Sequence, residues 1–315
     1  MDVLIALGIG TTFKVSALSW IAYKRQKVYV GQVSRINVFP LKSARELQNI
    51  TNVTLTKHGL MTKGLSDRHW VVTRNGQRQN IGFLPTLTLI RTSVEGTNLR
   101  LDAPNVEPLM LPIHPDINQE NLVTILVKEQ KQSTLDCGDK AAAWISKVVG
   151  KDNLRLHHSA PSLEKRLSHQ VLKDWPTQIR KHDEVAFQDF VPCMIMCQSS
   201  MDVLNQRLDK PVSSLQFRPN IMIEGSEPFD EVNWQTIYIG DKASTKFVDN
   251  CTRCAIVTVD PETGSRSKDN QPLAELKKFR CMEPYGPFKP VMGIHTAVET
   301  EGDIKIGDPV YVVKK

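Results

Sequence analysis

The sequence predicts an α+β chain that is mostly β, built as two β-rich halves with an apolar helix ahead of them. Three observations lead there. Short apolar segments with period-two alternation recur at close spacing, separated by turn residues. Only a few stretches carry a helical period. Residues 2–23 form a largely apolar run that meets Lys24, Arg25 and Lys27. With 315 residues, 40% hydrophobic and 23% charged, the chain can bury one large core or two ordinary ones.

The N-terminal run is about twenty residues long, enough for one membrane-spanning helix. Lys14 within it costs about 2–3 kcal/mol on insertion scales. A basic n-region and a small-residue cleavage site are both missing, which argues against a removable signal peptide. The reading is a signal anchor over residues 1–26, its basic flank keeping the rest of the chain cytosolic. A cleaved mitochondrial leader and a soluble amphipathic helix are the alternatives.

Residues 27–150 read as the first β-rich half. Val28, Val30, Val33, Ile36 and Val38 alternate up to Phe39-Pro40, and Val53 and Leu55 continue the pattern. Trp70–Thr73 runs toward Asn75-Gly76, a hairpin-turn signal. Leu87, Leu89 and Ile90 predict a short strand, as do Leu99 and Leu101. Ala141, Trp144, Ile145 and Val148 share one helical face, with Gly150 at the stop position. Residues 151–184 are polar and predict a connection containing some helix.

The second half spans residues 185–315. Met194–Met196 is a short apolar strand. Ser199-Ser200-Met201-Asp202 opens a helix carrying Val203, Leu204 and Leu208. Strands are predicted at Ile221–Ile223, Thr236–Ile239, Ala255–Val259, Ile304–Ile306 and Val310–Val313. A short helix is predicted at Pro272–Phe279, and Asp260–Gly264 is a turn.

The formal charge of +6, without a basic stripe, fits an anionic ligand and argues against a nucleic-acid partner. Six scattered cysteines do not form a disulfide framework, so free thiols are expected. Cys251-Thr252-Arg253-Cys254 is the notable pair. Structural zinc needs a second pair, and Cys193-x-x-x-Cys197 encloses an apolar strand instead. A thioredoxin-like pair should open a helix. Two ordinary buried cysteines are the remaining alternative. Arg253 between the two would favour a thiolate, which suits a soft or high-valent transition metal. Lys42 beside Ser43, Arg68 in Asp67-Arg68-His69-Trp70, and Arg218 followed by Asn220 each end a predicted strand. Together they could hold a phosphate and a polar ring system.

These segments, with Gly59-Leu60, Asp136-Cys137-Gly138, Val259–Gly264 and Gly307–Tyr311, occur in one order over residues 28–313. In that order the chain resembles the MOSC superfamily. Within it, the resemblance is to the mitochondrial amidoxime-reducing components, a family of molybdenum enzymes. The resemblance implies an N-terminal β-rich MOSC domain followed by a MOSC β-barrel, with molybdopterin between them. It implies Cys254 as the molybdenum ligand and catalytic residue. It also implies Lys42, Ser43, Arg68, Arg218, Asn220, Thr252 and Arg253 as contacts to the pterin or its phosphate, with His295 at the position of a further contact. The implied activity is reduction of amidoximes, hydroxylamines and N-oxides. Its electrons come from NADH through NADH-cytochrome b-5 reductase and cytochrome b-5. The implied location is the outer mitochondrial membrane, facing the cytosol.

Three positions depart from the family pattern. Phe190-Val191 stands where a small polar pair is usual, His295 stands where an aromatic hydroxyl is expected, and the stretch Asn80–Leu84 lacks an Arg. His295 and Asp260 are the candidate general acids. A non-catalytic carrier of the molybdenum cofactor is the alternative function.

Overall fold

A computed structural model describes residues 26–170 and 178–315. The expected anchor over residues 1–26 lies almost wholly outside them. Among the described residues, no helix is long and apolar enough to cross a membrane.

The architecture is mostly β, with two closed barrels. The smaller barrel has five strands: Trp70–Arg74, Gln77–Arg78, Leu122–Val127, Gln130–Asp136 and Leu154–His158. Asn75 and Gly76, at φ of 51° and 72°, make the tight turn their residue types predict. The helix Asp139–Val149 buries Ala141, Trp144 and Ile145, as its period requires, and Gly150 ends it in a left-handed conformation. Trp144 donates its indole N–H to the Glu107 carbonyl at 2.7 Å, so its burial leaves no unpaired donor.

The larger barrel closes in the order Val28–Ile36, Ile221–Glu224, Cys193–Cys197, Val291–Thr300, Ala243–Thr252, Trp234–Ile239 and Pro309–Lys314. Cys193–Cys197 and Ile221–Glu224 are parallel neighbours. Such a pair needs a crossover, and the helix Gln198–Gln206 supplies it.

The composition boundaries are crossed in three places. Val28–Ile36, read as part of the first half, is a strand of the second barrel, between Ile221–Glu224 and Pro309–Lys314. Asn52–Thr56 pairs with Gly302–Lys305, near the other end of the chain. Residues 151–184, read as a connection, contain Leu154–His158, which pairs along its whole length with Trp70–Arg74.

Several elements differ from the periodicity reading. Leu87–Ile90 is not a strand: Pro85–Leu89 is a 3-10 helix. Leu84, Leu87 and Ile90 are buried at a spacing of three, the 3-10 period, and Pro85 opens the turn. Ala255–Val259 is likewise a 3-10 helix, Ala255–Thr258. The strand in that region is Ala243–Thr252, which the sequence did not signal, and Val291–Thr300 was also missed. Each is a ten-residue strand with register shifts, so its alternation breaks partway. The Gln198–Gln206 helix has no side-chain cap, and the hydroxyl of Ser200 instead approaches the buried Glu231 carboxylate at 3.2 Å.

Candidate active site between the barrels

One cavity of about 450 Å³ opens between the two barrels. Its wall starts in the loop after the first strand. Phe39 is fully buried, and its N–H donates to the carboxylate of Asp67 at 2.9 Å. The same carboxylate pairs with Arg68. Arg68 then reaches Asn220 Oδ1 and the Arg218 carbonyl, both at 3.2 Å. The guanidiniums of Arg68 and Arg218 lie 5.0 and 4.1 Å from the Phe39 ring centre. One aromatic ring thus supports two cations that would otherwise repel.

Arg218 is held at the site without being used up. Its Nη2 is buried and has no partner. Burial first, then Arg68 nearby, pushes its pKa down to about 9. An unpaired buried guanidinium nitrogen is costly, and an anion would relieve that cost. Ser43, Arg68 and Arg218 all have left-handed backbone, with φ of 78°, 55° and 57°. Non-glycine residues rarely adopt this conformation, and all three line the cavity.

The cysteine pair sits where the strand Ala243–Thr252 ends. Cys251 is buried in a core cluster at the back of the cavity wall, and burial pushes its thiol up to about 11. Arg253 N–H donates to the Pro290 carbonyl at 2.8 Å, which turns the chain out of the sheet. Cys254 follows in extended backbone and is exposed on the cavity. The sequence reading had Arg253 acting on the thiol. Its charge opposes the effect of burial on the Cys251 thiol, and its guanidinium also bonds the main-chain carbonyls of Met292 (2.9 Å from Nε) and Phe217 (3.0 Å from Nη1). It fastens the loop that presents Cys254.

Of the residues the sequence singled out, Lys42, Ser43, Arg68, Arg218, Thr252, Arg253, Cys254 and His295 line this cavity. Asn220 lies behind the wall. Its amide oxygen accepts from Arg68 and from the Met194 N–H, and its amide nitrogen donates to the Asn37 carbonyl. His295 is half-buried and packs against Phe190, the rings 4.4 Å apart and edge to face, with its Nδ1 buried and unpartnered. Burial, with Arg253 adding, pushes its pKa down to about 3, so it is neutral at physiological pH. Asp260 is not at the cavity. Its carboxylate caps the turn by accepting from the Glu262 and Thr263 N–H groups.

The sequence reading missed Arg78, Lys128 and Asp189. Asp189 lies 3.2 Å from Lys42 and from Arg78 and 3.7 Å from Lys128. Desolvation, only partial for a side chain 54% exposed, would raise its pKa, but Lys42, Lys128 and Arg78 together hold it well below the usual range. Lys42 is depressed well below its own usual value, chiefly by burial. Only the Asn75-Gly76 turn beside Arg78 was a signal; neither the Lys128 turn nor the strands flanking it were foreseen. Seven Lys and Arg side chains line the cavity against two Asp. Among the described residues no group of three or more His, Cys, Asp or Glu could hold a metal ion.

That donor set fits a molybdopterin-borne metal. It offers one accessible thiol, an excess of cations, and a buried guanidinium nitrogen awaiting an acceptor.

Comparison with known proteins gives the following matches. The MOSC N-terminal beta barrel domain family matches residues 30–152, and the MOSC domain family matches residues 182–311. The chain is 34% identical to mitochondrial amidoxime-reducing component 1 of Danio rerio, over 98% of this chain and 91% of that protein. It is 33% identical to the human component 1, over 98% and 92%. It is 32% identical to the human mitochondrial amidoxime reducing component 2, over 98% and 90%.

Proposed function

This chain belongs to the mitochondrial amidoxime-reducing component family, and from that premise we propose that it is a molybdenum-cofactor-dependent reductase of N-hydroxylated compounds. The observation that carries the reading is that the exposed thiol of Cys254 and the unpartnered Nη2 of Arg218 belong to the same cation-lined cavity. In the reaction an amidoxime takes up two electrons and two protons. Its N–O bond breaks, leaving an amidine and water. When bound, the cofactor supplies the two-electron chemistry of that step.

The protein's own contribution is binding, orientation and electrostatics. Cys254 is assigned as the metal's thiolate ligand. Arg218 and Arg68, stacked on Phe39, are assigned to the phosphate of the pterin, with Lys42, Ser43 and Thr252 beside it. Asn220 acts one layer back by holding Arg68, and Arg253, at the cavity wall, holds the Cys254 loop. His295 presents a neutral ring with an unpartnered Nδ1, and we assign it to hydrogen-bond the substrate's N–OH group. Electrons are assigned to cytochrome b-5 and NADH-cytochrome b-5 reductase. The apolar segment 2–23 supports an anchor in the outer mitochondrial membrane, with the barrels on the cytosolic side.

The test is metal and pterin analysis of the purified full chain beside benzamidoxime reduction. Cys254→Ser should remove activity and the thiolate signature of the metal. Cys251→Ser, which alters a core thiol, should keep most of both. Molybdenum coordination and turnover that are unchanged in Cys254→Ser would rule the assignment out.

A further inference from the structure

Three cations of the first half converge on one carboxylate of the second half. Lys42, Arg78 and Lys128 surround Asp189 at 3.2, 3.2 and 3.7 Å. One negative charge among three positive ones leaves an excess; with Lys42 assigned to the cofactor's phosphate, Arg78 and Lys128 are left to share Asp189 and a further anion. Burial is the main cause that depresses Lys128, and the charge of Arg78 adds to it.

The three cations differ in depth. The side chains of Lys42 and Arg78 are 7% and 11% exposed, whereas Lys128 is 33% exposed and Asp189 54%. Asp189 and Lys128 therefore form the solvent-facing end of the cluster, while Lys42 is its inner end, beside Ser43. Asp189 lines the cavity, so a ligand inside can reach the ion pairs. Beside them the wall is apolar. Phe190 follows Asp189 in the chain and packs edge-on against His295.

We propose that Arg78 and Lys128 form an anion subsite for the substrate, in which Asp189 is the resident, displaceable counter-ion, so that the site favours N-hydroxylated compounds bearing a carboxylate beside an aromatic ring. The ring lies against Phe190 and His295. The carboxylate takes over the hydrogen bond that Arg78 now gives to Asp189, and Lys128 turns to it from the turn it occupies. Neutral substrates must leave the Asp189 ion pairs intact and gain nothing from them. Naming the ligand a substrate rests on the proposed function; the existence of the subsite does not.

The test uses the purified full chain with its cofactor, and two probes of the same shape: benzoate and neutral benzamide. Binding is followed by the rise in melting temperature and by calorimetry. Neither probe carries an N–OH group, so the result stands apart from any reductase activity. Benzoate should bind about tenfold more tightly than benzamide, the effect of one charge-assisted contact. Lys128→Gln should abolish that preference, and its exposed position in a turn keeps the fold intact. Asp189→Asn should strengthen benzoate binding, because the internal competitor is gone, whereas Asp189→Glu should not. Equal binding of the two probes overturns the proposal. So does a benzoate preference that survives Lys128→Gln, which would place the carboxylate elsewhere in the cavity.

Discussion

Arg253 shows how one charge can carry a second role that its position in the sequence does not announce. Its position between two cysteines suggests a cation that stabilises a thiolate. The folded chain gives its donors to the carbonyls of Met292 and Phe217. Removing them leaves two buried acceptors unpaired, each costing about 1–3 kcal/mol. Arg253→Gln should therefore lower stability by about 2–4 kcal/mol, read as a drop in the urea midpoint at constant slope. Arg253→Lys should be nearly as harmful, since one ammonium cannot span both carbonyls. Alkylation of Cys254 tells the two roles apart: a slower reaction with unchanged stability would mean that Arg253 serves the thiol after all. The left-handed backbone of Ser43, Arg68 and Arg218 belongs to this scale too. Their residue types do not announce it, and packing around the cavity is what imposes it.

At the level of single elements, the strand Val28–Ile36 is the most constrained. It is flanked on both sides, and its ladder to Pro309–Lys314 shifts register between Tyr29 and Gly31. Gly31 has φ of +133°, and a Cβ there would lie 1.9 Å from the Glu224 carbonyl oxygen. That oxygen is main chain in the neighbouring strand and cannot swing aside. Gly31→Ala should cost about 2 kcal/mol or more and open this seam of the barrel. Thermal unfolding measures the cost, and amide exchange in Ile221–Glu224 locates it. An alanine variant with wild-type melting would show that the bulge relaxes freely. The two segments misread as strands, Pro85–Leu89 and Ala255–Thr258, share one cause. Short apolar runs fit a strand and a 3-10 turn equally well until a partner strand is present or absent.

Across the whole molecule, buried neutral histidines set the response to acid. His69 and His158 are pushed down to about 3 and His157 to about 4, in each case chiefly by burial. His158 stacks on Trp70 at 3.9 Å, and His157 hydrogen-bonds Thr73 at 2.8 Å, both in the small barrel. In the unfolded chain these rings titrate near 6.5. Between that value and their folded values the unfolded state binds more protons. Their stabilising effect is complete above pH 6.5 and is lost progressively as pH falls toward 3. Denaturant midpoints should therefore drop between pH 7.5 and pH 5.0, and the drop should shrink in His158→Phe, which keeps an aromatic ring against Trp70. Equal midpoints at the two pH values in the parent chain would contradict this.

The sequence by itself determined the β-rich class, the Asn75-Gly76 turn and the Asp139–Val149 helix, and most of the site residues it named line the cavity. These are properties of local period, turn chemistry and ordered segments, which survive without knowing what packs where. Which barrel each strand joins was decided by tertiary structure. Val28–Ile36 and Asn52–Thr56 pair near the far end of the chain, and strand alternation carries no information about a distant partner. The division of labour within the site was decided the same way. Asn220 looks like a ligand contact but lies behind the wall, Arg253 lines the cavity and also braces the chain, and Arg78, Lys128 and Asp189 look like surface charges but converge on the cavity. A charged residue's role depends on what desolvates it and what pairs with it, and both are set by residues remote in sequence.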